Sequence, residues 1–307
     1  MIQTPGGAVR CLVTGANGFL GRHCVAALAA EGHEVVALSR SGAQVRGAAE
    51  TLACDLLDPV STAVAVDRAG AQCLVHLAWH SDPRDRWHTL ANIDWLNATL
   101  GLARAFAEAG GARMVFGGSS AEYDWNFETL DEAETPLRPA SLYGAAKASV
   151  DLTLGTAAAK LGIEFAAARI FFCYGPGEQP GRLVQDLIAG LSARRRVACT
   201  DGLQQRDFLH AADIGRALAL IAGSDVQGAV NVASGETVAV RDIVLTLADL
   251  LDGRDLVDLG AITRAASDPP RIVAITARLR ALGFAPRFDL AGGLADTVAA
   301  YQTEGAR

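Results

Sequence analysis

A tyrosine and a lysine four residues apart are the side chains in this sequence best suited to proton transfer. Tyr143 and Lys147 open an Ala- and Leu-rich stretch that is typical of a helix, so their spacing places both side chains on one helical face. A free tyrosine titrates at about pH 10, and poising it at neutral pH takes about 3 pH units, or roughly 4 kcal/mol. A nearby ammonium group favours the phenolate. The pair therefore predicts a general acid/base that exchanges a proton with a hydroxyl or a ketone.

Three glycines follow the spacing G-x-x-G-x-x-G between a predicted strand at 9–13 and a helix that begins near Phe19. Gly15 permits backbone angles that a side chain forbids, Gly18 lets a pyrophosphate approach, and Gly21 lets helix and strand pack closely. The start of the helix favours an anion. A tight turn without a ligand is the alternative, but the order of strand, turn and helix favours a dinucleotide site.

Strands and helices alternate along the first half of the sequence, with further strands predicted at 34–38, 51–54, 73–78, 113–116 and 163–172. This alternation predicts an α/β fold of the Rossmann type, a doubly wound parallel sheet, with a smaller C-terminal α/β substrate domain. His76 falls inside the strand at 73–78 and is expected to be a packed core residue.

Proline- and glycine-rich segments at 175–177 and 179–181 break regular structure and predict a crossing between domains. The dinucleotide-binding domain is expected to comprise residues 1–173 plus about 207–233. The substrate-binding domain is expected to comprise about 174–206 plus 234–307. Residues 208–209 and 229–232 are expected to return to the main sheet. The substrate should then lie in the cleft between the two parts, outside the carboxyl ends of the strands.

Ser39 and Arg40 follow the second predicted strand, where a dinucleotide fold meets the adenosine ribose. An arginine fork suits a 2′-phosphate, whereas a carboxylate at this position binds the free 2′-hydroxyl. The sequence therefore favours NADP(H), with NAD(H) possible. The alternative is that Arg40 is a solvated loop residue.

Composition excludes several classes of partner. The chain of 307 residues has a formal net charge of −7 and a pI of about 5.4, which disfavours nucleic acid. Its apolar runs fall short of the roughly 18 residues of a membrane helix. Six scattered cysteines without a C-x-x-C pair indicate reduced thiols and no metal site. We expect a cytoplasmic protein without a nucleic-acid or membrane partner.

Taken together, these motifs resemble the extended short-chain dehydrogenase/reductases, and within them the NAD-dependent epimerase/dehydratase family of nucleotide-sugar enzymes. The resemblance covers nearly the whole chain. Its motifs are the glycine turn at 14–21, Asp55-Leu56, His76-Leu77-Ala78, Asn92, Ser119-Ser120-Ala121, Tyr143 with Lys147, and the segments 169–176, 206–210, 231–235 and 282–286.

The resemblance implies a role for each matching residue. Ser120 is expected to hydrogen-bond the reacting oxygen, Tyr143 to act as acid/base, and Lys147 to hold the ribose and lower the tyrosine pKa. The expected cofactor contacts are Gly15, Asn17, Gly18, Phe19, Leu20, Gly21, Ser39, Arg40, Asp55, Leu56, Leu77, Ala78, Asn92, Tyr143 and Lys147. The expected substrate contacts are Glu122, Phe172, Arg206 and Arg271.

Two positions depart from the family's pattern. Phe172 stands where members often carry Asn, so one polar contact to the sugar nucleotide is expected to be absent or supplied by another residue. Glu122 takes the place of the glutamate with which the 4,6-dehydratases draw a proton from carbon. Ser120 and Ala121 do not supply the usual Thr and Asp, and we favour the alternative interpretation of Glu122 as a surface residue.

We therefore expect an NAD(P)-dependent oxidoreductase that acts on a nucleotide-activated sugar. Arg40 favours NADPH and thus a 4-keto-sugar reductase. A 4-epimerase, which keeps NAD bound, is the alternative, followed by a 4,6-dehydratase and, last, a non-enzymatic NADP(H)-binding sensor. The Ala- and Leu-rich helices at 92–109 and 143–160 are expected to pair across a two-fold axis into a homodimer.

Overall fold

A seven-stranded parallel sheet forms the centre of the computed structural model, which describes residues 8–305 and the side chains of 8–303. The strands are β1 Arg10–Thr14, β2 Glu34–Ser39, β3 Glu50–Ala53, β4 Cys73–His76, β5 Arg113–Ser119, β6 Thr129–Leu130, β7 Glu164–Ile170, β8 Phe172–Tyr174, β9 Val197–Ala198, β10 Gln205–Arg206, β11 Phe208–His210, β12 Gly228–Val232, β13 Val238–Ala239, β14 Val257–Asp258 and β15 Arg271–Ala274. The helices are α1 Phe19–Ala30, α2 Pro59–Ala69, α3 Ala91–Glu108, α4 Leu142–Leu161, α5 Leu183–Ser192, α6 Ala211–Ala222, α7 Val240–Leu250, α8 Ala277–Ala281 and α9 Leu290–Gly305.

The order of strands in the central sheet is β12-β7-β5-β4-β1-β2-β3. Strand β1 pairs with β2 on one side and with β4 on the other, so that Cys11 lies opposite both Val35 and Cys73. The chain therefore winds outward in both directions from β1, and the predicted α/β fold of the Rossmann type is confirmed. In such sheets ligands bind at the carboxyl ends of the strands where the direction of winding changes.

Helices cover both faces of this sheet. Apolar side chains of α1 and α6 pack with one face, and those of α2, α3 and α4 pack with the other. The central strands carry apolar residues on both sides, as a parallel sheet buried on two faces requires. These two apolar layers fix the positions of the strand ends that form the cleft.

His76 is a core residue, as predicted. Its side chain is almost fully buried in β4, with Nδ1 2.6 Å from Thr14 Oγ1 and Nε2 2.9 Å from Thr99 Oγ1. Burial lowers the pKa of His76 to about 3, and the neighbouring Lys147 charge acts in the same direction. The imidazole is therefore neutral at physiological pH and bridges two hydroxyls.

The rest of the chain forms smaller sheets beside the central one. A four-stranded sheet has the order β13-β10-β15-β6, and two short pairs are β11-β8 and β14-β9. Helices α5, α7 and α9 share an apolar cluster of their own.

Two strands were predicted to return to the main sheet after the domain crossing. Strand β12 does return, and it pairs with β7. The prediction for residues 208–209 was wrong, because β11 pairs with β8 outside the central sheet. The two domain boundaries stay a prediction. Among the described residues, none of the helices has the length and hydropathy needed to span a bilayer.

Candidate active site

A cleft of about 760 Å³ opens at the carboxyl ends of the central strands. Twelve of the residues predicted to be functional line it, namely Gly15, Gly18, Phe19, Leu20, Gly21, Leu77, Ala78, Ser120, Tyr143, Lys147, Phe172 and Arg206. The cleft thus joins the glycine turn, the tyrosine–lysine pair and the segment after the domain crossing. The predicted residues that do not line it are Asn17, Ser39, Arg40, Asp55, Leu56, Asn92, Glu122 and Arg271.

The glycine turn has the geometry of a dinucleotide cradle. Gly15 adopts φ +66°, and a Cβ at this position would lie 2.8 Å from the Ala78 backbone nitrogen. A Cβ on Gly21 would overlap the Gly15 carbonyl oxygen, so this glycine allows α1 to sit directly on the turn. Helix α1 begins at Phe19, and Gly18 and Phe19 line the cleft, so the start of this helix, which favours an anion, lies at the cleft. The residues present therefore fit a pyrophosphate.

The end of β2 lies beside this turn. The Ala16 amide donates to the Leu38 carbonyl over 3.4 Å, which brings the turn next to Ser39 and Arg40. The Ser39 hydroxyl accepts a hydrogen bond from the Gly42 amide, and Arg40 is exposed with no ion pair to the side chains of 8–303. Ser39 and Arg40 thus lie beside the turn and outside the main cleft, and their predicted contact with the adenosine ribose stays a prediction.

The end of β3 adjoins the same edge of the sheet. The Cys54 amide donates to the Ser39 carbonyl over 3.0 Å, and the exposed Asp55 accepts from the Leu57 amide. Leu56 is buried against the core. Asp55 and Leu56 thus follow the strand next to Ser39, and their predicted contact with the adenine stays a prediction.

Lys147 lies in an aromatic cage. Its Nζ donates to the Gly117 carbonyl over 2.7 Å and lies 3.9 Å from the ring centre of Trp79 and 4.6 Å from that of Phe116. Burial lowers the pKa of Lys147 to about 7, although the charge of Glu122 raises it. Sequence reasoning missed Trp79, whose only signal was its place after the strand segment His76-Leu77-Ala78.

Asn92 hydrogen-bonds Trp79, one of the residues of this cage. It is completely buried, its Oδ1 accepts from the Trp79 Nε1 over 2.9 Å, and its Nδ2 donates to the carbonyls of Arg86 and Thr89. These bonds engage both ends of the amide. The structure therefore corrects the prediction of a direct cofactor contact, because Asn92 acts on the cleft through Trp79 and the loop at 79–90.

Tyr143 is the second residue of α4 and lies next to the loop at 79–90. Ser141 caps the helix by accepting from the Gly144 amide over 3.1 Å, and the Tyr143 amide donates to the Trp87 carbonyl. Burial raises the pKa of Tyr143, whereas a hydrogen bond with the Ser119 side chain lowers it. Without a bound cofactor, the effect of burial on the Tyr143 pKa is larger than that of the groups that favour the phenolate. Lys147, four residues later, does not reverse this shift.

Two serines, and not one, line this part of the cleft. Ser120 is buried at the start of a short 3₁₀ turn, and its carbonyl accepts from the Trp125 Nε1 over 2.7 Å. Ser119, at the end of β5, is the serine whose side chain lowers the pKa of Tyr143. The sequence pointed to Ser120 alone, although the doubled serine was visible.

Glu122 was favoured as a surface residue, and that interpretation was wrong. Its side chain is fully buried, with Oε1 accepting from the Ser119 amide over 2.6 Å and Oε2 lying 3.2 Å from Arg169 Nε. Arg169 also pairs with Asp151 over 2.6 Å. Burial raises the pKa of Glu122 to about 7, against the attraction of Arg169. The carboxyl points into this network, and the structure does not place it on the wall of the cleft.

Aromatic side chains form one part of the cleft lining. Phe172 packs against Trp125 and Phe208, with ring centres 6.2 and 5.6 Å apart. The Arg206 guanidinium lies 5.6 Å from the Phe172 ring and pairs with Asp268. Burial lowers the pKa of Arg206, whereas the charge of Asp268 raises it. Arg206 therefore brings a guanidinium with one carboxylate partner to the cleft.

Arg271 lies on β15, in register with Gln205 of β10. It is half-buried and does not line the cleft. Of the two arginines predicted to contact substrate, only Arg206 is therefore brought to the site.

Comparisons with known proteins decide the family. Residues 11–233 match the NAD dependent epimerase/dehydratase family. The chain belongs to this family. The predictions of an extended short-chain dehydrogenase/reductase and of an enzyme in the class that modifies nucleotide sugars are thereby confirmed.

Individual members of the family show similarity along almost the whole chain. A dTDP-glucose 4,6-dehydratase of Streptomyces griseus is 31% identical over 313 residues, which cover 94% of this chain and 93% of the relative. A dTDP-4-dehydro-6-deoxy-D-allose reductase of a Streptomyces species is 26% identical, covering 95% of each chain. MoeE5, solved in complex with UDP-glucuronic acid and NAD, is 29% identical with a TM-score of 0.83, covering 97% of this chain and 100% of its own.

Proposed function

We propose that this enzyme is a 4-keto-sugar reductase that acts on a nucleotide-activated sugar with NADPH. The observation that carries the proposal is the meeting of the glycine turn, the paired serines and the Tyr143–Lys147 pair in one cleft. A non-enzymatic sensor of NADP(H) has no use for a half-buried tyrosine and a buried lysine in the cleft that contains its cofactor turn.

Each group has a chemical part in this proposal. The nicotinamide, when bound, supplies the hydride to the sugar carbon. Tyr143 donates its proton to the sugar oxygen, and Ser119 and Ser120 orient that oxygen and the phenol. Among the described residues Lys147 Nζ has one acceptor, the Gly117 carbonyl, so two of its hydrogens are available to ribose hydroxyls.

The cofactor is held by groups already arranged for it. The glycine turn and the start of α1 receive the pyrophosphate. The unpaired Arg40 guanidinium is proposed to bind a 2′-phosphate, which favours NADPH. Arg206, which lines the cleft, is proposed to attract the diphosphate of the substrate.

A dehydratase is disfavoured by the position of Glu122. A base that removes a proton from carbon must reach the substrate, whereas both Glu122 oxygens are engaged by the Ser119 amide and by Arg169. Glu122 is therefore not positioned to act as the base of a 4,6-dehydratase.

A nucleotide-sugar 4-epimerase is the second candidate. MoeE5, at 29% identity, was solved with UDP-glucuronic acid and NAD. A 4-epimerase keeps NAD bound while the hydride leaves and returns. If this chain binds NAD as tightly as NADP, the epimerase is the better proposal.

The experiment is a substrate panel. The purified enzyme is incubated with UDP- and dTDP-linked 4-keto sugars and with their reduced counterparts, with NADH or NADPH, and the Tyr143→Phe variant is the control. We expect oxidation of NADPH with a 4-keto sugar and none in the variant. Interconversion of two reduced sugars without net consumption of cofactor supports the epimerase and contradicts the reductase.

We also propose a cytoplasmic homodimer formed through α3 and α4. Ile93 on α3 is 45% exposed and Leu152 on α4 is 60% exposed, although these helices pack together. Gly101 and Gly155 have open space where a Cβ would lie, so a second copy can approach closely. A dimer by light scattering that Leu152→Arg converts to monomer supports the proposal, and a wild-type monomer at micromolar concentration contradicts it.

A further inference from the structure

Three polar side chains form a cluster in the cleft that the proposed reaction does not use. Glu178 follows β8 in the domain crossing, Arg86 lies in the loop at 79–90, and Arg182 precedes α5. Glu178 is only 7% exposed, and its Oε2 is buried without a hydrogen-bond partner among the side chains and backbone of the described residues. Arg86 Nε is also buried, and among the described residues it has no hydrogen-bond partner.

The cluster lies at the reacting end of the cleft. The charges of Arg86 and Arg182 both lower the pKa of Tyr143. They also act on Glu178, where burial raises the carboxyl pKa to about 7 and the attraction of Arg182 opposes it. Burial and Arg182 together lower the pKa of Arg86 to about 10. Arg86, Glu178 and Tyr143 all line this cleft, so the carboxyl and the guanidinium belong to the same cavity as the acid/base.

The unpartnered atoms are held in place by the backbone around them. The Arg86 carbonyl accepts from the Asn92 side chain over 2.8 Å, and the Arg86 guanidinium lies 4.5 Å from the Trp87 ring centre. The Glu178 amide donates to the Gly175 carbonyl over 3.3 Å, which fixes the backbone at this residue. Among the described residues, Glu178 Oε2 is thus one free acceptor and Arg86 Nε one free donor.

Buried polar atoms without partners are costly, and a ligand that supplies the partners removes the cost. One free acceptor beside one free donor matches a group that both donates and accepts. Hydroxyls and primary amides have this character, whereas a carboxylate offers no hydrogen to Glu178.

We propose that Glu178 and Arg86 form a recognition site for a neutral donor–acceptor group, either a hydroxyl of the sugar or the carboxamide of the nicotinamide. The inference rests on the proposed function, since both groups belong to its ligands. Glu178 accepts the hydrogen of this group and Arg86 Nε donates to its oxygen. The pair therefore selects the ligand that reaches Tyr143.

Matched ligands separate the two sources. Dissociation constants are measured by calorimetry for NADPH against ADP-ribose, which lacks the nicotinamide, and for UDP-glucose against UDP, which lacks the sugar. The variants are Glu178→Ala, Glu178→Gln and Arg86→Lys, which keeps the charge but lacks the Nε donor. The exposed Glu134→Gln is the control.

We expect Glu178→Ala to weaken one member of one pair about tenfold or more, with Glu178→Gln intermediate. A selective loss for UDP-glucose identifies a sugar hydroxyl, and one for NADPH identifies the carboxamide. Arg86→Lys should weaken that same ligand. Changes within twofold for all ligands in the Glu178 variants overturn the inference, as does equal weakening of both members of a pair. If wild type binds none of these ligands, the proposed function itself fails.

Discussion

The Nζ atom of Lys147 lies 3.9 Å from the centre of the Trp79 indole ring, whose Nε1 is hydrogen-bonded to the buried Asn92. An ammonium over an indole face is attracted to it, yet the same ring excludes water. The loss of hydration has the larger effect on Lys147, because burial lowers its pKa to about 7. The lysine charge is therefore controlled by a side chain outside the motif that contains the lysine.

Trp79→Ala tests this control. Opening the cage to water should move the Lys147 pKa from about 7 back toward its ordinary value near 10.5. Affinity for NADPH should then persist above pH 8, where that of wild type declines because the lysine loses its charge. The measurement is the NADPH dissociation constant from pH 6 to 9.5. Trp79→Phe, which keeps a ring, should resemble wild type, and an unchanged midpoint in Trp79→Ala contradicts the mechanism.

The two serines are predicted to have separable roles. Ser119→Ala removes the side chain that lowers the pKa of Tyr143, so the pH limb assigned to the tyrosine should move upward. Ser120→Ala should reduce kcat without moving that limb, because Ser120 is proposed to contact the reacting oxygen. The measurement is kcat/KM against pH for both variants. Identical profiles for the two would show that the roles are not divided in this way.

Replacement of Glu178 and of Glu122 by Gln is predicted to change the stability of the fold in opposite directions. Both carboxyls have a pKa of about 7, so the folded chain binds more protons than the unfolded chain between about pH 4.5 and 7. Each carboxyl therefore makes stability fall as pH rises through this window. Arg182 and Arg86 oppose the shift at Glu178, and Asp186 adds to it.

Glu178→Gln should flatten this decline and raise stability at pH 8, by at most about 3 kcal/mol, because its Oε2 has no partner to lose. Glu122→Gln should lower stability by a few kcal/mol, because it leaves Arg169 buried with Asp151 as its remaining carboxylate. Chemical denaturation at pH 5 and pH 8 measures both. Destabilisation of equal size in both variants would count against the contrast.

The parts of the site that depend on residues close together in the sequence were predictable from the sequence. The glycine turn was predictable because Gly15 must adopt a positive φ and Gly21 must lie on the Gly15 carbonyl, and both needs appear as spacing. The burial of Glu122 was not predictable, because its partner Arg169 is 47 residues away and only the fold brings them together. The free atoms of Arg86 and Glu178 were missed for the same reason, since neither lies in a motif.

Arg40→Asp is predicted to reverse the choice of cofactor. The guanidinium can bind a 2′-phosphate through charged hydrogen bonds worth roughly 1.5–3 kcal/mol each, whereas a carboxylate repels it and accepts from a free 2′-hydroxyl. NADPH affinity should fall about tenfold to a hundredfold while NADH affinity is kept or improved. The exposed Arg46→Asp is the control for charge alone. If wild type binds NADH as tightly as NADPH, Arg40 is a solvated loop residue and the epimerase becomes the better proposal.

Transfer of deuterium tests the proposed reaction most directly. The enzyme is given a nucleotide-linked 4-keto sugar and NADPH deuterated at the transferring position, and the product is examined by NMR and mass spectrometry. We predict one deuterium at the former keto carbon, with Tyr143→Phe at least about a hundredfold slower and its NADPH affinity nearly unchanged. Turnover of Tyr143→Phe within tenfold of wild type, or a product without deuterium, would contradict a hydride-transfer reductase in which Tyr143 donates the proton.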